Sequence, residues 1–409
     1  MLDKLHLFVP FRLEHITLLG VDGRADPVHY VDINGLGVPL QGQVQQREDG
    51  GYDAEHLRHA WESLSTGFTP LAFKVFHESL GKRLMPGVEI KASPAKLLQG
   101  HNVFGPTCIQ KGAEVMLKWL AGSYPKLFAM LDVHQTQVYD FDCTYSARLP
   151  NERTAQQVID AIKGTSNGQT QARGDTYQTT AYWGSKESRL KKLKAYLKYP
   201  EFLAQLEEAK RAGRSDLSAA RTAKVLANPN LHEWAKHLLR FEATVMHRWL
   251  ERRGVSSRLV DLIAHQQQLQ EEGRCFIQEC WQAVTAPIFA AFEGMTMKQI
   301  DDEKVLAALT DRHMKYDRKG QPNDSHARNL FRTYRSIKDY GWEETMASMS
   351  RATFYRHVTE ICEAGLSKAA LQKLHEVDRG NVVPLLRFVA VDFSAQRPDW
   401  YVEPSVEAA

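Results

Sequence analysis

Residues 138–147, VYDFDCTYSA, alternate apolar and polar side chains in the register of an extended strand. Val138, Asp140, Asp142 and Thr144 fall on one face and Tyr139, Phe141 and Cys143 on the other. The same period of two runs through HYVDING, LAFKVFHES and GVEIKASP, so the chain before about residue 150 reads as strands and turns. One helix interrupts them, because GAEVMLKWLAGSYPKLFAML spaces its apolar residues three to four apart. The opening MLDKLHLFVPF reads as a first strand rather than a secretory leader, since Asp3 and Pro10 come early and no small-residue cleavage site follows. Residues 151–163 read as a short helix, residues 164–178 as a polar, glycine-containing loop, and about 201–295 as largely helical with one interruption at LANPNL. This mixture predicts an α+β protein: an antiparallel sheet with flanking helices, then a mainly helical C-terminal region ending in a strand at NVVPLLRFVAVDF.

The chain has 409 residues, enough for two domains or one elaborated domain, and at 43% hydrophobic and 25% charged it is composed like an ordinary globular protein. Its formal charge of +3 selects no partner, so any nucleic-acid surface must come from how the charge is distributed. The five cysteines include no CxxC pair and read as reduced thiols. The longest apolar run, residues 283–292, is broken by Pro287 and falls short of the roughly 20 residues of a membrane span, so a cytoplasmic protein is expected. No GxxxxGK[ST] loop is present to cradle a nucleotide triphosphate. His232 and His237 stand five apart where a zinc-protease helix needs four, and no His-apolar-His triplet occurs.

Three groups of residues carry candidate chemistry. Asp140 and Asp142 share a strand face, and Glu242 lies in a second short apolar segment, LLRFEATV. Carboxylates on adjacent strands are the ligand type magnesium prefers, although solvated strand-edge acids would look the same. The second group is LKKLKAYLKYPEF. Read as a helix, it has an apolar stripe of Leu190, Leu193 and Leu197 and a solvated lysine face. Read as a strand, it turns Leu193, Ala195, Leu197 and Tyr199 to the core and gathers Lys192, Lys194, Tyr196 and Lys198 on the other face. Only the strand surrounds a phenol with ammonium groups, which would favour the phenolate and attract a phosphodiester, making Tyr196 a candidate nucleophile. The third group is MSRATFYRH, where a Ser cap precedes Arg351, Thr353, Tyr355 and Arg356 facing outward and Phe354 and Val358 facing inward. It reads as the recognition helix of a helix-turn-helix or as an ordinary basic amphipathic helix. Upstream, Arg328, Arg332, Arg335 and Lys338 recur at three-to-four spacing as a phosphate-facing stripe.

Several longer stretches together resemble one family: SPAKLLQGHNVFG, DCTYSARLPNE, VIDAIKGTSNGQT, YWGSKESR with AYLK, LLRFEATV, and NVVPLLRF with VDFSAQRPDWY. The chain is similar to the gene II replication initiators of filamentous bacteriophages. A strand Asp, GSxxS-xxx-YxK and a later RxE also resemble the trans-acting initiators of rolling-circle plasmids. The resemblance implies a rolling-circle initiator in the host bacterial cytoplasm that binds the double-stranded phage origin and nicks the plus strand with Mg²⁺, or Mn²⁺ in its place. It then rejoins the displaced single strand into a circle. It implies Tyr196 as nucleophile, Asp142 and Glu242 as metal ligands, and Glu89 as a further ligand, with Asp140 binding metal or tuning Asp142. Tyr182 is a rival nucleophile, and Tyr199 a core or auxiliary residue. Lys192, Lys194 and Lys198 would hold the DNA strand. Residues 1–295 would form the nicking domain and 296–409 the DNA-binding region, with an internal start at Met297 or Met295. Expected partners are a host helicase and polymerase, self-association on the origin, and no membrane. The rivals are a non-catalytic origin-binding protein or repressor, and a metal nuclease whose attacking group is water.

Overall fold

The computed structural model describes the chain except residues 21–26, 40, 48, 59, 80–84, 164–177, 293–301, 317–320, 367, 373, 378–388, 408 and 409. It divides into two compact units, one of Met1–Phe292 with Phe388–Ala409 and one of Glu293–Arg387. The tail from Phe388 therefore belongs with the first unit, whereas the sequence division at 295 assigns it to the second. Met295, Met297 and most of the terminal strand read at 381–393 lie outside the described residues, and residues 390–407 form no helix or strand.

The first unit is built on eight strands: β1 (Leu2–Pro10), β2 (Glu62–Leu64), β3 (Leu71–Phe76), β4 (Gly87–Ala92), β5 (Gln137–Arg148), β6 (Thr180–Trp183), β7 (Lys191–Leu197) and β8 (Leu238–Met246). Their order is β6-β7-β8-β5-β1-β4-β3-β2, and every neighbouring pair is antiparallel. The α+β class read from the sequence is the one observed. One face is apolar because each strand turns alternate residues to it: Leu5, Leu7 and Val9 from β1, Val88 and Ile90 from β4, Phe141 and Cys143 from β5, and Phe241, Ala243 and Val245 from β8 are all buried. Helices α1 (Ile109–Ser123) and α2 (Phe276–Phe292) pack on these strands; Phe276 meets Phe141, and Phe289 meets Phe241.

Three local readings change in the structure. The helix GAEVMLKWLAGSYPKLFAML stops at Ser123 and restarts as Pro125–Ala129, because Pro125 cannot donate into the first helix. The stretch read as largely helical after residue 201 contains β8, an interior strand of the sheet. In β5 the ladder with β1 shifts between His6 and Leu7, pairing His6 with Asp140 but Leu7 with Val138. That bulge buries Val138 completely and turns Tyr139 to the other face, where it stacks on Phe8.

In the second unit, helices α3 (Asp302–His313), α4 (Ser325–Tyr340), α5 (Trp342–Ala347) and α6 (Arg351–Glu363) enclose a core of Leu309, Leu330, Tyr334, Ile337, Phe354 and Ile361. Among the described residues no helix is long and apolar enough to cross a membrane.

Candidate active site

The alternation that buries Leu5 and Leu7 leaves Lys4 and His6 on the opposite face of β1, where Lys4 faces Asp142 and His6 faces Asp140. Glu89 of β4 lies opposite Phe8 on the same face. On the other side of β5, Asp142 is opposite Thr244 and Thr144 opposite Glu242, so Asp142 and Glu242 are diagonal neighbours on adjacent strands. β7 sets Lys194 against Glu242 and Tyr196 against Arg240, and the edge strand β6 sets Tyr182 against Lys194. Sequence reasoning named the acids and the tyrosines; the sheet brings them to one face.

The result is a row of charged side chains across five strands. His6 Nε2 is 3.5 Å from Glu89 Oε2, and His6 Nδ1 is 2.9 Å from Asp140 Oδ2. Lys4 Nζ bridges Asp140 Oδ1 at 2.8 Å and Asp142 Oδ1 at 3.3 Å. Lys194 Nζ sits 2.7 Å from Glu242 Oε1. Burial works against the charge on Asp140, but His6 and Lys4 prevail and hold it down at about 2. Burial likewise opposes protonation of Lys4 and His6, yet their carboxylate partners raise both. Glu242 behaves differently: burial first, and then the charge of Asp142, push it up to about 8 in spite of Lys194. The two carboxyls of Asp142 and Glu242 thus repel each other across the ladder, and Asp142 Oδ1 meets Lys4 Nζ at 3.3 Å.

Tyr196 is only 8% exposed. Its hydroxyl donates to Glu242 Oε2 at 3.5 Å, and Lys194 Nζ lies 5.2 Å from its ring centre. Burial pushes the phenol well above its ordinary value, and the nearby Arg240 charge only partly offsets this. The lysine-rich surroundings therefore do not produce a resting phenolate. Lys192 and Lys194 share the Tyr196 face, but Lys198 does not: it opens the helix Lys198–Ala212, is fully buried, and donates to Asn102 Oδ1 at 2.8 Å and to Glu201. Burial, then the Arg240 charge, lower it to about 8. It cannot hold DNA from there. Tyr199 lies in the same helix, stacked on Phe202 in a small core with Leu206, Leu226 and Leu231, so it is a packing residue.

Lys4, His6 and Arg240 are the residues the sequence reading left without roles. The first two were legible in KLHLF, whose period of two places them beside the acids once β1 pairs with β5. Arg240 is buried, with Nη1 donating to Asn102 O at 2.6 Å and Nη2 to Val103 O. Asp3, 3.8 Å away, compensates its charge.

In the second unit Ser350 Oγ accepts from the Thr353 amide at 3.2 Å and caps α6. Arg351, Tyr355 and Arg356 are exposed while Phe354 and Val358 are buried, and Thr353 is half-buried. On α4, Arg328, Arg332 and Arg335 are exposed, with Arg328 paired to Asp324 at 2.8 Å.

Residues 1–272 match the family model for the N-terminal part of the phage replication-associated protein of gene II, and residues 318–407 match the model for its C-terminal part. The chain is 37% identical to the replication-associated gene II protein of Enterobacteria phage M13, with all of both chains covered. It is 36% identical to that of Salmonella phage IKe, over 99% of this chain and 96% of the relative. The chain belongs to the filamentous-phage gene II protein family. The charged row, from Glu89 to Glu242, lies wholly inside the N-terminal family segment, and the exposed arginines of α4 and α6 lie inside the C-terminal one. No solved structure matches.

Among the described residues no three His, Cys, Asp or Glu side chains converge as a ready-made metal cage. The donor set nonetheless suits a hard divalent cation that keeps most of its waters and takes one or two carboxylates, since Asp142 and Glu242 present oxygen ligands whose mutual repulsion such a cation would relieve.

Proposed function

We propose that this gene II family member is a rolling-circle replication initiator that nicks one strand of the phage origin by tyrosine transesterification and later reseals it. The observation that carries this reading is the Tyr196 hydroxyl hydrogen-bonded to Glu242 beside Asp142 on one sheet face. Asp142 and Glu242 would hold Mg²⁺, with Mn²⁺ a substitute and Asp140 and Glu89 tied into the row through Lys4 and His6. When bound, the ion supplies charge neutralisation to the phosphate under attack. Tyr196 Oη attacks phosphorus, its proton passes to solvent water, and the bond from phosphorus to the 3′ oxygen breaks. The 3′ oxygen takes up a proton and leaves the hydroxyl from which a host polymerase would extend. Lys194 and Lys192, on the same face, would hold the strand. The 5′-phosphotyrosine bond conserves the energy of the broken linkage, so resealing requires no ATP, and unwinding would fall to a host helicase. The exposed arginines of α4 and α6, with Thr353 and Tyr355, would bind the origin duplex, α6 entering the major groove.

A second nucleophile, Tyr182, is favoured by its place opposite Lys194 and by its lesser burial than Tyr196. The test is to incubate the protein with Mg²⁺ and supercoiled origin DNA, denature it, and identify the DNA-linked peptide by mass spectrometry. Tyr196→Phe is expected to lose nicking by about 1,000-fold or more while still binding the origin. An adduct on Tyr182 would reassign the nucleophile. Nicked DNA with no adduct in wild type or in either Phe variant would point to water as the attacking group, and binding without cleavage to a non-catalytic origin binder.

A further inference from the structure

Beyond β1 the sheet has a gap. β5 continues to Arg148, but its pairing with the chain start ends at Thr144, whose amide and carbonyl bond Met1, so among the described residues the outer edge of 145–148 has no strand partner. The chain's own tail fills part of the gap: the Gln396 carboxamide accepts from Ser146 N and donates to Ser146 O, both at 2.9 Å. Behind this clamp lies a cavity of about 530 Å³, the size class of small-molecule sites. Thr144 and Arg240 line it, and they are the residues one ladder step from Glu242 and Tyr196. Among the described residues, buried Thr144 Oγ1 and Arg240 Nε have no hydrogen-bond partner, although a buried polar atom without one is costly. The rim carries Arg148, whose guanidinium lies 4.4 Å from the Trp234 ring centre, and Arg397.

Unpaired donors deep in a cavity, cations at its rim and an aromatic ring beside them are the parts needed to take a nucleotide: donors for phosphate or base edge, a ring for stacking. We propose that this cavity receives one unstacked nucleotide of the plus strand next to the scissile phosphate, and so helps fix where the strand is cut. The inference rests on the nicking function proposed above and deepens it. It assigns Thr144 and Arg240 a contact outside the charged row, with Arg148 and Trp234 as the rim.

The experiment uses the full chain and single-stranded oligonucleotides spanning the origin nick site, each with one abasic position, and measures binding and nicking. For wild type, one abasic position within a few nucleotides of the cut is expected to weaken binding by about 10-fold. Thr144→Val, which keeps the shape and removes the hydroxyl, and Arg148→Ala should bind intact DNA more weakly and lose most of that position's effect. Thr144→Val should melt no lower than wild type, because it deletes an unpaired buried hydroxyl; a purely structural role would lower its melting temperature instead. Uniform tolerance of abasic positions, or an unchanged penalty in both variants, would overturn the cavity assignment while nicking of intact DNA leaves the function standing. Failure of wild type to nick intact origin DNA would overturn the function and this inference with it. Protection of the cavity by a free deoxynucleoside monophosphate, with no abasic position sensitive, would assign it to a free nucleotide and overturn the strand-bound proposal.

Discussion

Asp142 is the single residue on which the site's charge balance turns. It is 5% exposed, bonded to Lys4 on one side and repelling Glu242 on the other. Asp142→Asn keeps the volume and removes one charge, so the chain is expected to fold while nicking falls by about 100-fold or more at any Mg²⁺ concentration. Nicking of origin DNA across a magnesium titration checks this, and wild-type rates would remove Asp142 from the metal site. His101 tests a different physics. Its Nδ1 accepts from the Val103 amide at 3.3 Å, and burial, aided by the charges of Lys198 and Arg240, lowers it to about 3. Below about pH 6.5 the unfolded chain therefore takes up a proton that the native ring refuses. The His101 contribution to stability is complete above that pH and shrinks as the pH falls toward 3. Between pH 7 and pH 5 it should cost wild type about 2 kcal/mol, a slope that His101→Gln should lack in denaturant titrations at the two pH values.

At the scale of elements, β7 shows how far periodicity reaches. The helical and extended readings of LKKLKAYLK fit its hydrophobic pattern equally; the choice is made by β8 and β6, which pair with it on both sides. The strand then ends at Leu197 and a helix begins, which buries Lys198 and takes it out of the face its spacing assigned to it. The basic stripe of α4 is local and was readable outright: Leu330, Tyr334 and Ile337 pack inward, leaving Arg328, Arg332 and Arg335 in solvent. Replacing these three arginines by alanine should weaken origin binding and flatten the slope of log affinity against log salt by roughly 2 to 3. An unchanged slope in a salt series of binding isotherms would make α4 an ordinary solvated helix.

At the scale of the molecule, the tail returns to the first unit by named contacts. Besides the Gln396 clamp, Arg397 donates to Gly105 O at 3.1 Å, Lys111 Nζ meets Glu403 at 3.0 Å, and Trp400 and Tyr401 meet the Phe104 ring edge-on. Gln396→Ala frees the Ser146 amide and carbonyl together, and should lower the stability of the first unit by roughly 1–2 kcal/mol. Chemical denaturation followed by tryptophan fluorescence measures it.

Strand alternation in KLHLFVP and VYDFDCTYSA, the cap and stripe of α6, and the identity of the acids and phenols were all determined by the sequence, because each depends on neighbours two to four residues away. Which strands lie side by side was decided only by tertiary structure. So were the bulge that exchanges Val138 with Tyr139, the joining of Lys4 and His6 to the acids, the burial that raises Tyr196 and Glu242, and the tail's return over the β5 edge. These depend on contacts between residues more than a hundred positions apart, on desolvation, and on strand ends, none of which leaves a local pattern in the chain.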